Sequence, residues 1–169
     1  MSYLLTPLRR FAHALIGNDS PRQLAAGVTI GMMLGVVPKG NMIAVALGTL
    51  LLALKVHRAA GLVVALFFSA IGSFFDGFAH QLGKDVLETA WLQSTFAKLY
   101  DLPLGPWIGF NNTVVMGSLL MAIYFSYPCY FFSLCAFQAW QPKAASFLRR
   151  HRVTRVLLGF ELTAKWQEA

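Results

Sequence analysis

The chain has 169 residues, of which 57% are hydrophobic and 12% are charged, whereas a typical soluble domain carries about 25% charged residues. This composition excludes an ordinary soluble domain and indicates a single integral membrane domain. The net charge of +7 does not indicate nucleic-acid binding, because the basic residues flank apolar segments. Anionic lipid headgroups of the inner leaflet are the expected counter-charge.

Residues 1–19 are predicted to form an amphipathic helix at the membrane interface. Leu4 and Phe11 fall on one helical face while Arg9 and Arg10 fall off it, which is typical of a helix lying in the headgroup region. We expect both arginines to contact lipid headgroups. No small-residue cleavage site follows the segment, so the sequence predicts that it is retained.

The stretch 20–54 is predicted to form a helical hairpin in the membrane, around which the other segments are arranged. Ser20 can cap a helix, and Pro21 fits its first turn because the missing N–H has no partner there. Pro38 and Gly40 end this helix and turn the chain. The arms have 15 and 14 residues and reach only about 21 to 22 Å, against roughly 30 Å of hydrocarbon. A re-entrant or short hairpin therefore fits better than two full crossings.

Small residues mark the helix-packing surfaces. Gly27, Gly31 and Gly35 recur every four residues and form a stripe without side chains, which lets another helix approach closely. The same stripe could instead form a groove for a lipid or substrate. Gly48 and Gly117 are further candidates for helix packing or partner binding.

Polar residues interrupt the apolar segments at two breaks, and the sequence allows two interpretations of them. Polar groups at membrane depth are functional candidates by default, and Lys39 is the ionisable one. Equally, asparagines can cap broken helices and satisfy the freed backbone groups. The residues at these breaks are Pro38, Lys39, Gly40, Asn41, Asn111 and Asn112.

The distribution of charge predicts the topology. Residues 1–22 carry a net charge of +2, Lys55 and Arg58 add +2, and residues 141–169 carry +4. The positive-inside rule places these three segments in the cytoplasm. Residues 76–103 carry −2 and are predicted to lie outside. Both termini are then cytoplasmic.

Two crossings complete the predicted membrane domain, which covers residues 20–140. Residues 59–75 cross outward, and residues 104–140 return as a helix that is kinked near Pro128, because the segment is too long for one straight span. Between them, residues 76–103 form an outer loop that contains a short amphipathic surface helix. The predicted fold is thus an all-α membrane protein with a hairpin, two crossings and flanking interfacial helices.

Residues 141–169 are predicted to form a basic amphipathic tail on the cytoplasmic leaflet. Each basic residue near an anionic membrane surface contributes on the order of 1 kcal/mol. The arginines expected at lipid headgroups are Arg149, Arg150, Arg152 and Arg155.

No catalytic or metal-binding constellation is apparent in the sequence. Asp76 and His80 share a helical face, but two ligands without a third favour an ordinary surface pair over a metal site. Cys129 and Cys135 are six residues apart, which matches neither a metal clamp nor a redox motif. Motifs of hydrolases, metalloproteases and phosphate-binding loops are missing as well. We therefore expect no enzymatic activity, no metal and no cofactor.

A weak internal repeat links the two breaks. Displacing the sequence by 69 residues aligns Gly40 with Gly109, and Gly48 with Gly117. Both copies begin beside an asparagine near a helix break, which is a pattern found around transporter binding sites. Apolar segments of this length also match by chance.

The first break lies within a motif that resembles a known family. The pattern S-P-x-x-L/I-A-x-G-x-x-I/L-G, followed by G-x-x-P-x-G-N, resembles the uncharacterised bacterial membrane-protein family catalogued as domain of unknown function 2062. The resemblance implies a bacterial inner-membrane location and a partnership with an envelope protein, and it brings no activity, cofactor or site residue. The residues that carry it are Ser20, Pro21, Leu24, Ala25, Gly27, Ile30, Gly31, Gly35, Pro38, Gly40 and Asn41.

Two functions are compatible with these features. The first is a non-enzymatic inner-membrane subunit in an envelope or lipid-transport assembly, whose glycine stripe packs against a partner membrane or periplasmic protein. The second is a small transporter or channel for a lipid or small solute, acting as a homo-oligomer, in which the breaks at Asn41 and Asn111–Asn112 line a path.

Overall fold

The structure is a computed structural model that describes residues 20–150, and the side chains of residues 20–143. Every regular element in this part of the chain is helical, which confirms the all-α class for it. The predicted interfacial helix of residues 1–19 lies outside the described residues. The elements are α1 (Pro21–Val36), α2 (Met42–Ala53), α3 (Arg58–Gly72), a 3₁₀ turn (Ser73–Phe75), α4 (Asp76–Leu87), α5 (Ala90–Tyr100), α6 (Gly105–Ile108) and α7 (Thr113–Arg150).

The break between α1 and α2 lies where the sequence predicts it. Val37 is extended, as expected for a residue that precedes proline, and α1 ends there. Gly40 has a φ of +94°, a conformation that favours glycine, and it reverses the chain before Asn41 caps α2. The two helices have 16 and 12 residues, or about 24 and 18 Å. Both are shorter than the roughly 30 Å hydrocarbon core.

The first predicted crossing continues further than expected. Its predicted end is residue 75, but the chain stays helical from Arg58 to Leu87, with one 3₁₀ turn at Ser73–Phe75. The physical reason is that residues 73–87 contain no proline to stop a helix. Similarly, α7 continues through Pro142 past the predicted boundary at residue 140.

Helix α1 is central to the described part of the chain and packs against both α3 and α7. It runs parallel to α3, so that successive turns of the two helices meet. The pairs in contact are Gly27 with His57, Gly31 with Gly61, and Gly35 with Ala65. Helix α7 runs antiparallel to α1, because Ala122 clusters with Val37 and Phe137 packs near Leu24.

A second close helix contact joins α4 to the start of α7. Ala79 and Gly83 of α4 lie against Gly117 and Thr113 of α7, with their backbones in direct contact. The sequence predicts a surface helix in this region and does not reveal the contact. The signal is present nonetheless, since Ala79 and Gly83 are small residues four apart.

This packing brings the basic segments to one end of the molecule. The backbone N–H of His57 donates to the Gln23 carbonyl at 3.1 Å, so α1 and α3 begin side by side. Phe137 of α7 packs into the cluster of Leu24 and Ala60 at the same end. The basic residues near this end are Arg22, Lys55, Arg58 and Lys143. The arrangement agrees with the charge pattern, and the assignment of this end to the cytoplasm stays a prediction.

Two helical stretches are long and apolar enough to cross a membrane. They are Arg58–Leu87 with 30 residues and Thr113–Lys143 with 31. Only 17% and 6% of their most apolar windows are buried inside the protein. Large apolar side chains such as Leu66 and Tyr124 therefore face outward, which is expected in lipid rather than in water. These stretches match the two predicted crossings and support membrane association.

Replacement of Gly117 by alanine is expected to destabilise the protein, whereas the same change at Gly48 is not. A Cβ at Gly117 would collide with the Ala79 carbonyl, which costs about 1–3 kcal/mol in a packed interface. A Cβ at Gly48 meets nothing within 4 Å, and alanine raises helix propensity there. Thermal unfolding in detergent micelles measures both variants, and equal melting temperatures would contradict the packing of α4 on α7.

Candidate functional site

An open apolar groove of about 500 Å³ lies between α1, α3 and α7. None of its lining side chains is charged or carries a hydroxyl group, and four of them are phenylalanines. The lining residues are Met32, Val36, Phe68, Phe75, Met121, Ala122, Phe125, Pro128, Cys129 and Phe132. A cavity of this size falls in the range of small-molecule sites in proteins, about 300–1,000 Å³.

The groove results from the way that three helices share one neighbour. Helices α3 and α7 both pack extensively on α1 but hardly on each other. Met32 and Val36 of α1 therefore form the floor, while α3 and α7 form the two walls. Phe68 lies on the α3 wall, and Phe125 and Phe132 lie on the α7 wall.

On its longest wall, α7, the groove lining is about as long as half the hydrocarbon core of a bilayer is thick. Along α7 it extends from Met121 to Phe132, which is about 17 Å of helix. The hydrocarbon core of a bilayer is about 30 Å thick, so half of it is about 15 Å. One end of the groove, at Val36 and Phe75, lies beside the break between α1 and α2.

Lys39 closes the C-terminal end of α1 at this break. Its ammonium Nζ donates to the carbonyls of Leu34 at 2.7 Å, Gly35 at 3.0 Å and Val37 at 2.8 Å. These carbonyls have no partner within the helix and carry its negative dipole end, so a cation is favourable there.

Asn41 links both sides of the break. Its side-chain oxygen accepts from the backbone N–H of Ala44 at 2.8 Å, and its amide donates to the Pro38 carbonyl at 2.8 Å. The side chain is buried, and both of its polar groups are bonded to backbone. Of the two interpretations that the sequence allows, helix capping is the one that these bonds favour for Asn41.

The second break lies directly against the first. Gly109, with a φ of +80°, approaches Asn41 so closely that a Cβ built on it would be 3.5 Å from the Asn41 Cβ. Asn112 accepts from the backbone N–H of Val114 at 2.9 Å and caps α7, and both Asn111 and Asn112 are exposed. The fold thus brings together the two breaks that the internal repeat aligns.

The two copies of the internal repeat share their local backbone geometry but not their packing. Gly40 and Gly109 are the two residues with positive φ in the described part of the chain, and each precedes an asparagine-capped helix. In contrast, Gly117 is packed against α4, whereas a side chain at Gly48 would enter open space.

The glycine stripe is occupied by the chain itself. Gly27, Gly31 and Gly35 are buried, and each lies against backbone or Cβ atoms of α3 or of the turn before it. The stripe therefore serves helix packing within the chain. Of the two roles predicted for these glycines, helix packing is the one seen within the chain, with α3 on that face; binding of a partner protein stays a prediction. A single sequence shows that such a stripe packs against another helix, but it does not show which helix that is.

The arginines predicted at lipid headgroups lie outside the described side chains. Arg149 and Arg150 belong to the last turn of α7, of whose side chains nothing is described, and Arg9, Arg10, Arg152 and Arg155 fall beyond residues 20–150. Their predicted role stays a prediction.

The Asp76–His80 pair does not form part of a metal site within residues 20–150. No group of three or more histidine, cysteine, aspartate or glutamate side chains in that range is arranged to hold a metal ion. His80 Nδ1 instead lies 2.6 Å from the Thr113 hydroxyl, which ties α4 to the first residue of α7.

The groove itself is the feature that the sequence analysis misses. A signal for it exists on α7, where the six lining residues from Met121 to Phe132 recur at helical spacing and define one face. This pattern indicates a buried or lipid-facing stripe equally well. It becomes a groove only because α3 and α7 both pack on α1 and hardly on each other.

Comparison with known proteins identifies the family. The family model described as an uncharacterized protein conserved in bacteria, DUF2062, matches residues 8–146. The chain belongs to this family, as its first motif predicts. An uncharacterized protein of Treponema pallidum (strain Nichols) is 26% identical over 137 residues, which cover 81% of this chain and 83% of that protein. The chain has no significant match among solved structures.

Replacement of Asn41 tests the capping interpretation. We expect Asn41→Leu to destabilise the protein by about 1 kcal/mol, because the N–H of Ala44 and the Pro38 carbonyl both lose a partner. Asn41→Ser keeps an oxygen for the cap and should retain most of the stability. Chemical unfolding followed by circular dichroism measures both, and equal losses in the two variants would count against a capping role.

Proposed function

We propose that this protein is a non-enzymatic subunit of the bacterial inner membrane that holds the hydrocarbon tail of a lipid, in an envelope or lipid-transport assembly. The observation that carries the proposal is the groove between α1, α3 and α7. It is lined wholly by apolar side chains, it lies between α1 and two helical stretches that are long and apolar enough to cross a membrane, and its span along α7 is close to the thickness of one leaflet.

The groove acts by fixing the position of a tail rather than by attracting it. Lipid tails are as apolar as the side chains that line the groove, so moving a tail from the bilayer into it gains little hydrophobic free energy. The aromatic walls at Phe68 and Phe125 instead restrict where the tail lies. A lipid held at a defined place can be presented to a partner protein, which is the role expected in a transport assembly.

The surface available for a partner membrane protein is the outer face of α2. The chain's own α3 covers the stripe on α1, but Gly48 on α2 has nothing within 4 Å of a built Cβ, so a foreign helix can approach its backbone. Val45 and Leu52 on the same face are 61% and 56% exposed. This face supports the partner proposal.

A partner that packs at Gly48 should be lost when that position is filled. We expect Gly48→Leu to abolish cross-linking to a copurifying envelope protein in native membranes, while the variant still inserts and folds, since the site is open in the isolated chain. Quantitative mass spectrometry after cross-linking measures the loss. Unchanged recovery of the same partner would exclude this face.

A small oligomeric transporter or channel is the second candidate. The meeting of the two breaks, at Asn41 and Gly109, supports it, because broken helices near each other form binding sites in many transporters. Against it, both polar groups of Asn41 are bonded to backbone and are therefore not free to bind a solute. The lipid-holding subunit is the function that the geometry supports better.

Filling the groove tests the main proposal, and the chain provides a matched control. Cys129 lines the groove, whereas Cys135, six residues further along α7, is exposed and outside it. With the protein in vesicles that contain a phospholipid with a photoactivatable tail, we expect Cys129→Trp to abolish cross-linking to groove residues, because the indole occupies the space of the tail.

In the Cys135→Trp variant, the photoactivatable phospholipid should label the groove as it does in the unmodified chain. Tandem mass spectrometry of the cross-linked peptides locates the attachment sites. Attachment spread evenly over the outward faces of α3 and α7, with no excess in the groove, would contradict the proposed function.

A further inference from the structure

One end of the groove lies at the same height on all three helices that form it. On each helix, the first groove-lining residue is 10 or 11 positions from the basic residue near the helix end, which is about 15 to 17 Å. Half of the hydrocarbon core of a bilayer is about 15 Å thick. Because basic residues that flank apolar helices lie at the membrane interface, this near end of the groove is at about the middle of the bilayer. The pairs are Arg22 and Met32 on α1, Arg58 and Phe68 on α3, and Lys143 and Phe132 on α7.

The far end of the groove lies close to the opposite membrane surface. Ala79 of α4 contacts Gly117 of α7, and the two helices run in opposite directions. This register places Phe75 level with Met121, and both line the groove. Along their helices they are about 25 and 33 Å from the basic residues, which brackets the roughly 30 Å hydrocarbon core. The next residue, Asp76, is the first charged residue after residue 58, as expected where the chain leaves the core.

The groove therefore occupies one leaflet, the one farther from the basic end of the molecule. We propose that its occupant is a lipid of that leaflet, held with the glycerol side of its tail at Phe75 and Met121 and the tip of the tail at Phe68 and Phe132. This inference rests on the proposed function and adds the leaflet from which the lipid comes. Under the predicted topology it is the periplasmic leaflet, so a partner that receives the lipid acts on that side.

A lipid of the other leaflet does not fit the same groove. Its headgroup lies at the basic end, about 15 Å from the near end of the groove, so only the tip of its tail reaches Phe132. The lining ends at that residue, and five positions further along α7, Phe137 packs against the cluster of Leu24 and Ala60. The helices are in contact there and leave no continuous path for a tail from the basic side.

The test uses two phospholipid probes that differ only in the position of a photoactivatable group on the tail. In one probe the group is next to the glycerol, and in the other it is at the last carbon. Each probe is added in trace amounts to vesicles that contain the full chain, and tandem mass spectrometry locates the attachment sites. The protein can insert in either direction, because each probe reports distance from a headgroup rather than a side of the vesicle.

We expect the two probes to label opposite ends of the groove. The probe with its group next to the glycerol should attach mainly at Phe75 and Met121, and the probe with its group at the last carbon mainly at Phe68 and Phe132. The ratio of far-end to near-end attachment should thus be above one for the first probe and below one for the second.

The Cys129→Trp variant separates lipid in the groove from lipid of the surrounding bilayer. Ile123 and Phe131 are exposed on α7 near the heights of the two ends and do not line the groove. In this variant, attachment in the groove should be lost with both probes, while attachment at Ile123 and Phe131 is unchanged, which excludes a mere loss of folding. The matched control Cys135→Trp should retain attachment at all of these sites.

The outcomes distinguish this inference from the proposed function. Attachment of the glycerol-side probe mainly at Phe68 and Phe132 would overturn the leaflet assignment, because the lipid would then come from the basic side. The same ratio for both probes would overturn it as well, and in both cases the tail site stands. Attachment in the groove that does not exceed attachment at the outward residues, with either probe, would contradict the proposed function itself.

Discussion

The contact between the glycines of α1 and the backbone of α3 is the constraint on which the rest of the structure depends. Gly31 meets Gly61 with no side chain between the helices, so α3 lies unusually close to one side of the short helix α1. Helix α7 then packs on another side of α1 rather than on α3. Because α3 and α7 hardly contact each other, the groove remains between them, and the end of α1 places Lys39 beside it.

Much of this fold is predictable from local chemistry. The break at residues 37–41 follows from Pro38, Gly40 and the cap at Asn41, and α7 begins at Thr113 because Asn112 caps it. The order of parallel and antiparallel helices agrees with the charge pattern. These features depend either on residues that are neighbours in the sequence or on the net charge of a whole segment. Both can be taken directly from one amino-acid sequence.

The features that could not be predicted depend on which helices meet. The glycine stripe indicates close packing, but only the fold shows that α3 covers it, and the same holds for Gly83 against Thr113. The groove is harder still to predict from the sequence, because it is a space left between α3 and α7 rather than a contact. Its lining on α7 is visible in the sequence as a stripe from Met121 to Phe132, but the stripe does not show where α3 lies.

The central claim is that the groove holds one lipid tail at a defined position. Native mass spectrometry of the protein, released gently from native membranes, tests this most directly because it counts bound molecules and identifies them by mass. The account predicts one phospholipid per chain that remains bound after the surrounding detergent has been removed. A protein that is released free of lipid under conditions that keep it folded would contradict the account.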